Sequence, residues 1–263
     1  MTDEMDIIKH NQQAWDGLVR SGNRWTVPVS SDEIAAARNG DWQIVLTPQK
    51  PVPRQWFGDL SDRDVLCLAS GGGQQGPVLA AAGGNVTVFD NSPAQLQQDQ
   101  QVAERDGLDI RCVQGDMRDL SAFPTNSFDL VFHPCSNGFV PDVNPVWQEA
   151  SRVLKPGGRL MAGFVNPIFY LFDYWEMEKG NLVVKYSIPF ADCEQLDPEK
   201  VQELIDKGEP LEYGHALKDQ IGGQLRAGLH LIDFYEDVWD DPPGNLLSRY
   251  IHPLIATLSG KPG

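Results

Sequence analysis

The chain has 263 residues, enough for one large domain or two small ones with a sizeable core. Hydrophobic residues make up 41% and charged residues 22%, ordinary proportions for a globular protein. The formal charge is −16, from 21 basic against 37 acidic residues, and an acidic body repels phosphate backbones and anionic lipid, so neither nucleic acid nor a membrane surface is an expected partner.

Up to Leu60 the sequence shows no strand alternation. Residues 3–19 are predicted to form a helix, with Ile8, Trp15 and Leu18 on one face and Gly22 just past its end. Ser30 and Glu33 stand at capping-box spacing for a second short helix that stops near Gly40. Pro48, Pro51 and Pro53 then make an extended connector. From Asp64 the texture changes. Residues 64–69 (DVLCLA) form a short apolar run, followed by the glycine-rich SGGGQQG and a helical stretch to Ala82. Residues 85–89 make a second strand, and Ser92, Pro93 and Gln95 supply the cap, first-turn proline and capping-box partner of the next helix. Strands are predicted at 110–114, 129–133 and 159–165, with a helix at 145–154. Strands alternating with helices imply parallel βαβ units whose strands are buried on both faces. Residues 165–213 break the rhythm: Phe169, Tyr170, Phe172, Tyr174 and Trp175 come first, then acidic residues. Alternation resumes with a helix at 217–227 and strands at 230–235 and 253–258.

The chemistry starts at the glycines. Gly71, Gly73 and Gly76 fit G-x-G-x-x-G between a strand and a helix, where bare Cα atoms permit a tight turn and let a ligand reach main-chain N–H groups. A tight strand–helix turn with no ligand is the plainer account of the glycines alone. Asp90 ends the second strand near the spacing, roughly 20 residues, at which an acid meets ribose hydroxyls. Its plainer account is a strand-end residue capping the next helix, a task that Ser92 already fills.

Five pieces in order resemble the class I S-adenosylmethionine-dependent methyltransferases: VLCLASGGG, VFD ending at Asp90, QGDM at 114–117, FDLVFHPCSN and RVLKPGGRL. The resemblance covers 65–165 and, more weakly, 230–258. It implies a doubly wound α/β fold with a mostly parallel seven-stranded sheet, in one methyltransferase domain over 1–263. Within it, 1–60 would be an N-terminal helical flap, 61–165 the cofactor core, 166–213 an insertion after the fifth strand and 214–263 the return to the sheet. It implies S-adenosylmethionine as cofactor, held by Ser70, Gly71, Gly73, Asp90, Asn91, Asp116, Met117 and His133, and methyl transfer to a small-molecule acceptor. The family usually has an acid where this chain has Cys67 and a glycine where it has Ala69.

His133 and Asn137, at the end of the fourth strand, are the candidate catalytic residues, since ligands sit at the carboxyl ends of strands in such sheets. His133 is either a base or cofactor contact, or a strand-end histidine with its hydrogen bonds satisfied; Asn137 either positions substrate or supports the turn at Gly138. Phe169, Tyr170, Tyr174 and Trp175 either wall an apolar pocket or pack the insertion onto the sheet. His215 and Asp219 read as an exposed polar helix face. Trp15, Arg24 and Trp25 are candidates to close over the cofactor, and Arg24 to pair with its carboxylate or with surface acids. Trp42 and Trp56, with Trp15 and Trp25, make residues 1–60 too rich in rings to lie in solvent, and the whole segment is expected across the carboxyl edge of the sheet. Two other readings stay open: a nicotinamide-dependent dehydrogenase, which explains the glycines and Asp90 but not QGDM or LKPGG, and a non-catalytic S-adenosylmethionine-binding module. Scattered Cys67, Cys112, Cys135 and Cys193, with no C-x-x-C pair, read as reduced thiols, and the polar start MTDEMDIIKH as neither signal nor transit peptide. The expected location is the cytoplasm.

Overall fold

A computed structural model describes residues 7–263. Helix α1 (Ile7–Ser21) opens it; residues 3–6 of the predicted helix lie outside the described residues. Helix α2 (Ser31–Arg38) carries the full capping box, with the Ser30 N–H donating to Glu33 Oε2 at 2.8 Å. The connector ends in the one-turn helix α3 (Arg54–Phe57).

The alternating stretch folds as β1 (Asp64–Leu68), α4 (Gln75–Ala81), β2 (Asn85–Asp90), α5 (Pro93–Asp106), β3 (Ile110–Gln114), β4 (Phe128–His133), α6 (Asn144–Val153) and β5 (Leu154–Val165). The insertion follows as α7 (Tyr174–Glu178), β6 (Phe190–Ala191), α8 (Asp192–Gln195), α9 (Pro198–Lys207) and β7 (Tyr213–Gly214). Helix α10 (Leu217–Arg226), β8 (His230–Asp237), α11 (Gly244–Ser248) and β9 (Leu254–Gly260) complete the chain. Seven strands make one sheet in the order β3-β2-β1-β4-β5-β9-β8, and β6 and β7 make a small separate hairpin. The first five strands are parallel; β9 runs antiparallel to both neighbours. The fold is thus the doubly wound, mostly parallel sheet expected. Among the described residues no helix is long and apolar enough to cross a membrane.

Side chains along the central strands go alternately to the two faces of the sheet, as a two-residue period requires, and both faces are buried. Val65, Cys67, Val88, Leu130, Phe132 and Met161 join one core, with α4 and with Leu46, Val52, Trp56 and Phe57 of the connector. Leu66, Leu68, Phe89, Val131, Leu160 and Ala162 join the other, under Trp147 of α6. Trp42 and Trp56 therefore belong to a face of the sheet, Trp42 edge-on to Phe57 and Trp56 against Tyr235, and not to its carboxyl edge as expected. Of the N-terminal segment, α1 with the turn after it and residues 45–48 of the connector reach that edge.

The fifth strand begins earlier than predicted. Leu154 pairs with Phe128 across a register shift, Gly157 takes φ 77°, and Lys155 Nζ reaches Asp64 and Asp129 at 2.6 and 2.8 Å, so the LKPGG turn is absorbed into β5. Near the carboxyl end of β5 the connector crosses the strand at close quarters. A Cβ on Gly163 would stand 2.3 Å from the Leu46 carbonyl oxygen, which is backbone and already accepts the Cys135 N–H. Gly163→Ala should lower stability by about 1–3 kcal/mol, the usual cost of overpacking. The urea midpoint measures it, and an unchanged midpoint would mean that the Leu46 segment is not seated on β5.

Candidate functional site

The strand order reverses between β1 and β4, which opens a crevice at their carboxyl ends. The turn after β1 forms its floor. Ala69 holds φ 46°, a left-handed conformation that costs an L-residue about 1–2 kcal/mol, which accounts physically for glycine at this place in the pattern. Gly72 and Gly73 take φ 113° and 72°. Gly71 has no room for a side chain: its Cβ would lie 2.7 Å from Gln95 Cβ. Gly71 lines the crevice beside Ser70. Gly73 faces the other way, packing on Pro28 and accepting the Val29 N–H at 2.9 Å.

Two carboxylates fasten the turn. Asp90 Oδ2 accepts the Gly71 N–H and Oδ1 the Ser92 N–H, both at 2.9 Å. Burial raises its pKa against the pull of those N–H groups. Asp99 of α5 is fully buried, and its Oδ2 accepts the Gly72 N–H at 3.0 Å while Oδ1 has no hydrogen-bond partner among the described residues. Burial pushes its pKa up to about 8, with the N–H groups of Gly73 and Gly72 pulling the other way. Sequence reasoning missed Asp99, although it sits three residues from both Leu96 and Val102, on the buried stripe of an amphipathic helix.

Beyond Asp90 the wall continues through Asn91, whose side chain donates to the Ile8 carbonyl, and through Asp116 and Met117. The Asp116 carboxylate is gripped by its neighbour Arg118, whose Nε lies 3.1 and 3.0 Å from its two oxygens. On the β4 side the structure puts His133 behind the wall. The ring is fully buried, Nδ1–H donates to the Leu68 carbonyl at 2.8 Å, and Nε2 meets the carboxamide of Asn137. Burial lowers its pKa. The ring meets Leu68 and Asn137 and does not line the crevice. Asn137 does line the crevice, with its Nδ2 donating to Gln220 Oε1 at 2.8 Å.

His215 corrects an expectation. It is 8% exposed, stacks on Tyr213, and Nε2–H donates to the Asn137 carbonyl at 3.0 Å. The hairpin β6–β7 turns it inward before α10 begins. Asp219 is on α10, paired with Arg226.

Segments outside the alternating core, α1, the insertion and residues 45–48 of the connector among them, close the crevice into a cavity of about 710 Å³. From α1 and the short turn after it come Asn11, Trp15, Leu18 and Trp25; from the insertion come Phe169, Tyr170, Tyr174, Trp175, Tyr186 and Phe190. Asn11 ties the two together, accepting the Leu211 N–H at 2.8 Å and donating to the Leu211 carbonyl at 3.0 Å. Arg24 stacks on Trp25 and pairs with Asp240 and Asp241, so its partners are the surface acids. The cavity is polar near Ser70, Asp90 and Asn91, and aromatic toward the insertion.

A sequence model of the methyltransferase domain matches residues 66–162. The chain is 53% identical over 255 residues to an uncharacterized methyltransferase, YbaJ, of Bacillus subtilis (strain 168), covering 97% of this chain and 98% of that one. It is 40% identical over 92 residues to the chloroplastic 2-methyl-6-phytyl-1,4-hydroquinone methyltransferase 1 of Oryza sativa subsp. japonica, which takes in 35% of this chain and 27% of the relative. The crystal structure of an S-adenosylmethionine-dependent methyltransferase from Mesorhizobium loti superposes with a TM-score of 0.61 at 16% identity, over 79% of this chain and 95% of that one. The [4+2]-cyclase SpnF superposes with a TM-score of 0.58 at 16% identity, over 96% of both chains. Identities this low speak to the fold alone.

Asp99 makes stability depend on pH. Its folded pKa, about 8, lies above the ordinary 3.8, so the native state holds that proton more tightly and the contribution of Asp99 falls as pH rises through this window. Asp99→Asn keeps an oxygen for the Gly72 N–H and cannot ionise. It should lose stability more slowly than wild type with rising pH, by up to about 1.4 kcal/mol per pH unit. Urea midpoints at acidic and alkaline pH test this; parallel curves for the two proteins would contradict it.

Proposed function

Because the chain belongs to the class I S-adenosylmethionine-dependent methyltransferases, we propose that this cavity holds S-adenosylmethionine along the glycine turn and transfers its methyl group to a small molecule seated among the aromatic rings. The observation that carries the reading is Asp90. Both of its oxygens are fixed by backbone N–H groups, each retains an open lone pair, and the side chain lines the cavity. Such a carboxylate suits the two neighbouring hydroxyls of a ribose. Ser70, Gly71 and Asn91 flank it on the cavity wall, and Met117 offers an apolar side chain for an adenine face. Asp116 contributes less through its carboxylate, which Arg118 already occupies, than through its position.

When bound, the cofactor supplies an electrophilic methyl whose leaving group is a neutral thioether. Little charge needs stabilising on departure, so the protein acts chiefly by holding acceptor and methyl in line, an effect worth up to about 7–11 kcal/mol. Asn137, clamped between His133 and Gln220, keeps the turn after β4 rigid for that purpose. Trp15 and Trp25 exclude water from one side and the insertion from the other. Family membership sets aside the dehydrogenase and non-catalytic readings. The charge of −16 supports a small-molecule acceptor in preference to nucleic acid.

Calorimetry with S-adenosylhomocysteine should give a clear isotherm, and NAD none. Asp90→Ala removes charged hydrogen bonds worth roughly 1.5–3 kcal/mol each and should weaken binding about tenfold or more. Unchanged affinity in a folded variant would take Asp90 out of the site. Hydrogen exchange gives a separate check on the flap: ligand should slow exchange around Trp15 and Trp25 as well as at Gly71. Protection confined to the glycine turn would make the flap a structural element only.

A further inference from the structure

The insertion brings two carboxylates side by side on the cavity wall. In the β6–β7 hairpin Ala191 lies opposite Tyr213, so Asp192 and Glu212 come next as neighbours. The Asp192 N–H donates to the Glu212 carbonyl at 3.0 Å, and the Glu212 N–H donates to Asp192 Oδ2 at 2.7 Å. Both side chains line the cavity. Asp192 is only 8% exposed, and its second oxygen, Oδ1, has no hydrogen-bond partner among the described residues. Glu212 Oε2 accepts the Tyr170 hydroxyl at 2.8 Å. Neither carboxylate has an ion-pair partner among the described residues: Lys185 and Lys200 are taken by Asp173, and Lys207 by Glu203.

Stability alone does not explain this arrangement. Like charges opposite each other on a ladder repel, and a buried carboxylate without a counter-charge is costly. Burial and the neighbouring acid push Asp192 up to about 7, and burial raises Glu212. The surroundings are aromatic: Tyr170 stacks on Phe190 with ring centroids 5.5 Å apart, and Trp175 and Tyr213 also line the cavity. Aromatic faces attract cations, most strongly where water is excluded. The acidic end also abuts the turn after β4, since the Tyr170 hydroxyl lies 3.3 Å from the place of a Cβ on Gly138.

We propose that the acceptor is an amine whose apolar body lies against the rings of Tyr170, Phe190 and Trp175; it enters as an ammonium between Asp192 and Glu212, and one of these carboxylates takes a proton from it so that the nitrogen has a free lone pair for the methyl group. The inference rests on the cavity being the methyl-transfer site. It assigns the acceptor's charge, which the fold leaves open, and gives the unpartnered carboxylates their missing cation.

The test compares 4-phenylbutylamine with 4-phenylbutanol, titrated into the full chain saturated with S-adenosylhomocysteine at mildly alkaline pH. The amine should bind at least tenfold more tightly than the alcohol. Asp192→Asn with Glu212→Gln should abolish that preference while leaving affinity for S-adenosylhomocysteine unchanged. Asp192→Asn alone keeps an acceptor for the Glu212 N–H and should melt at or above the wild-type temperature; a clear loss of stability would make the pair structural and overturn the proposal. Equal binding of amine and alcohol by the wild-type protein, or binding of neither, would overturn it without any variant. Failure to bind S-adenosylhomocysteine would instead overturn the cofactor reading, so the two failures are distinct.

Discussion

The turn after β1 imposes a requirement that the rest of the site answers. A ligand can reach main-chain N–H groups there only if the Cα atoms are bare, yet a bare, left-handed turn is entropically expensive and leaves its own donors to be satisfied. Here one carboxylate comes from the end of the next strand and a second from inside the next helix, and each accepts an N–H of the turn, from Gly71 and Gly72 respectively. The glycines are thereby fixed from behind and open in front. Where the family's pattern has an acid on β1 itself, this chain has the buried thiol of Cys67, and Asp99 supplies a carboxylate to the same turn from α5.

How much of this could be read beforehand depended on the range of the interactions. Strands such as residues 64–69 and 85–89 announced themselves because burial on both faces demands unbroken apolar runs, and the caps at Ser30 and Ser92 did so because they are local. Asp99 and Asn11 were legible in principle, since each is a polar residue on an apolar helical stripe, Asn11 lying between Ile8 and Trp15. A polar group there must find a partner once buried. Asp192, Glu212 and His215 gave no such signal: their places depend on a hairpin of two-residue strands, β6 and β7, that exists only because residues far apart in the chain pair. His133 misled for a related reason. Its position at the end of a strand suggested chemistry, while its contacts with Leu68 of β1 and with Asn137 hold the ring in the interior. The N-terminal tryptophans divided between two surfaces because α1 is amphipathic whereas the connector around Trp56 is not helical until its last turn.

The walls of the cavity and its floor obey different constraints. The floor is built from strand ends and their turns, whose geometry follows from the sheet. The walls come chiefly from α1 and the insertion, which meet through the paired hydrogen bonds of Asn11 with Leu211, while Asp16 holds α1 to the start of α5 through Ser92 and Ala94. A floor that binds one common cofactor is compatible with any acceptor, so the identity of the acceptor has to be carried by the walls. Aromatic rings and an acidic hairpin are what this chain places there.

The Asn11–Leu211 contact also bears on how the molecule is assembled. Residues 11 and 211 are 200 positions apart in the chain, and Arg24 reaches still further, to Asp241. Contacts of such sequence separation close late, after the entropy of the intervening loop has been lost. During synthesis α1 leaves the ribosome well before the insertion: α5 soon gives Asp16 its partners, but Asn11 lacks Leu211 until the insertion has emerged. Trp15 waits in water for Phe139. The net negative charge, spread over every copy, also keeps such waiting chains apart, which protects the molecule at its most adhesive moment.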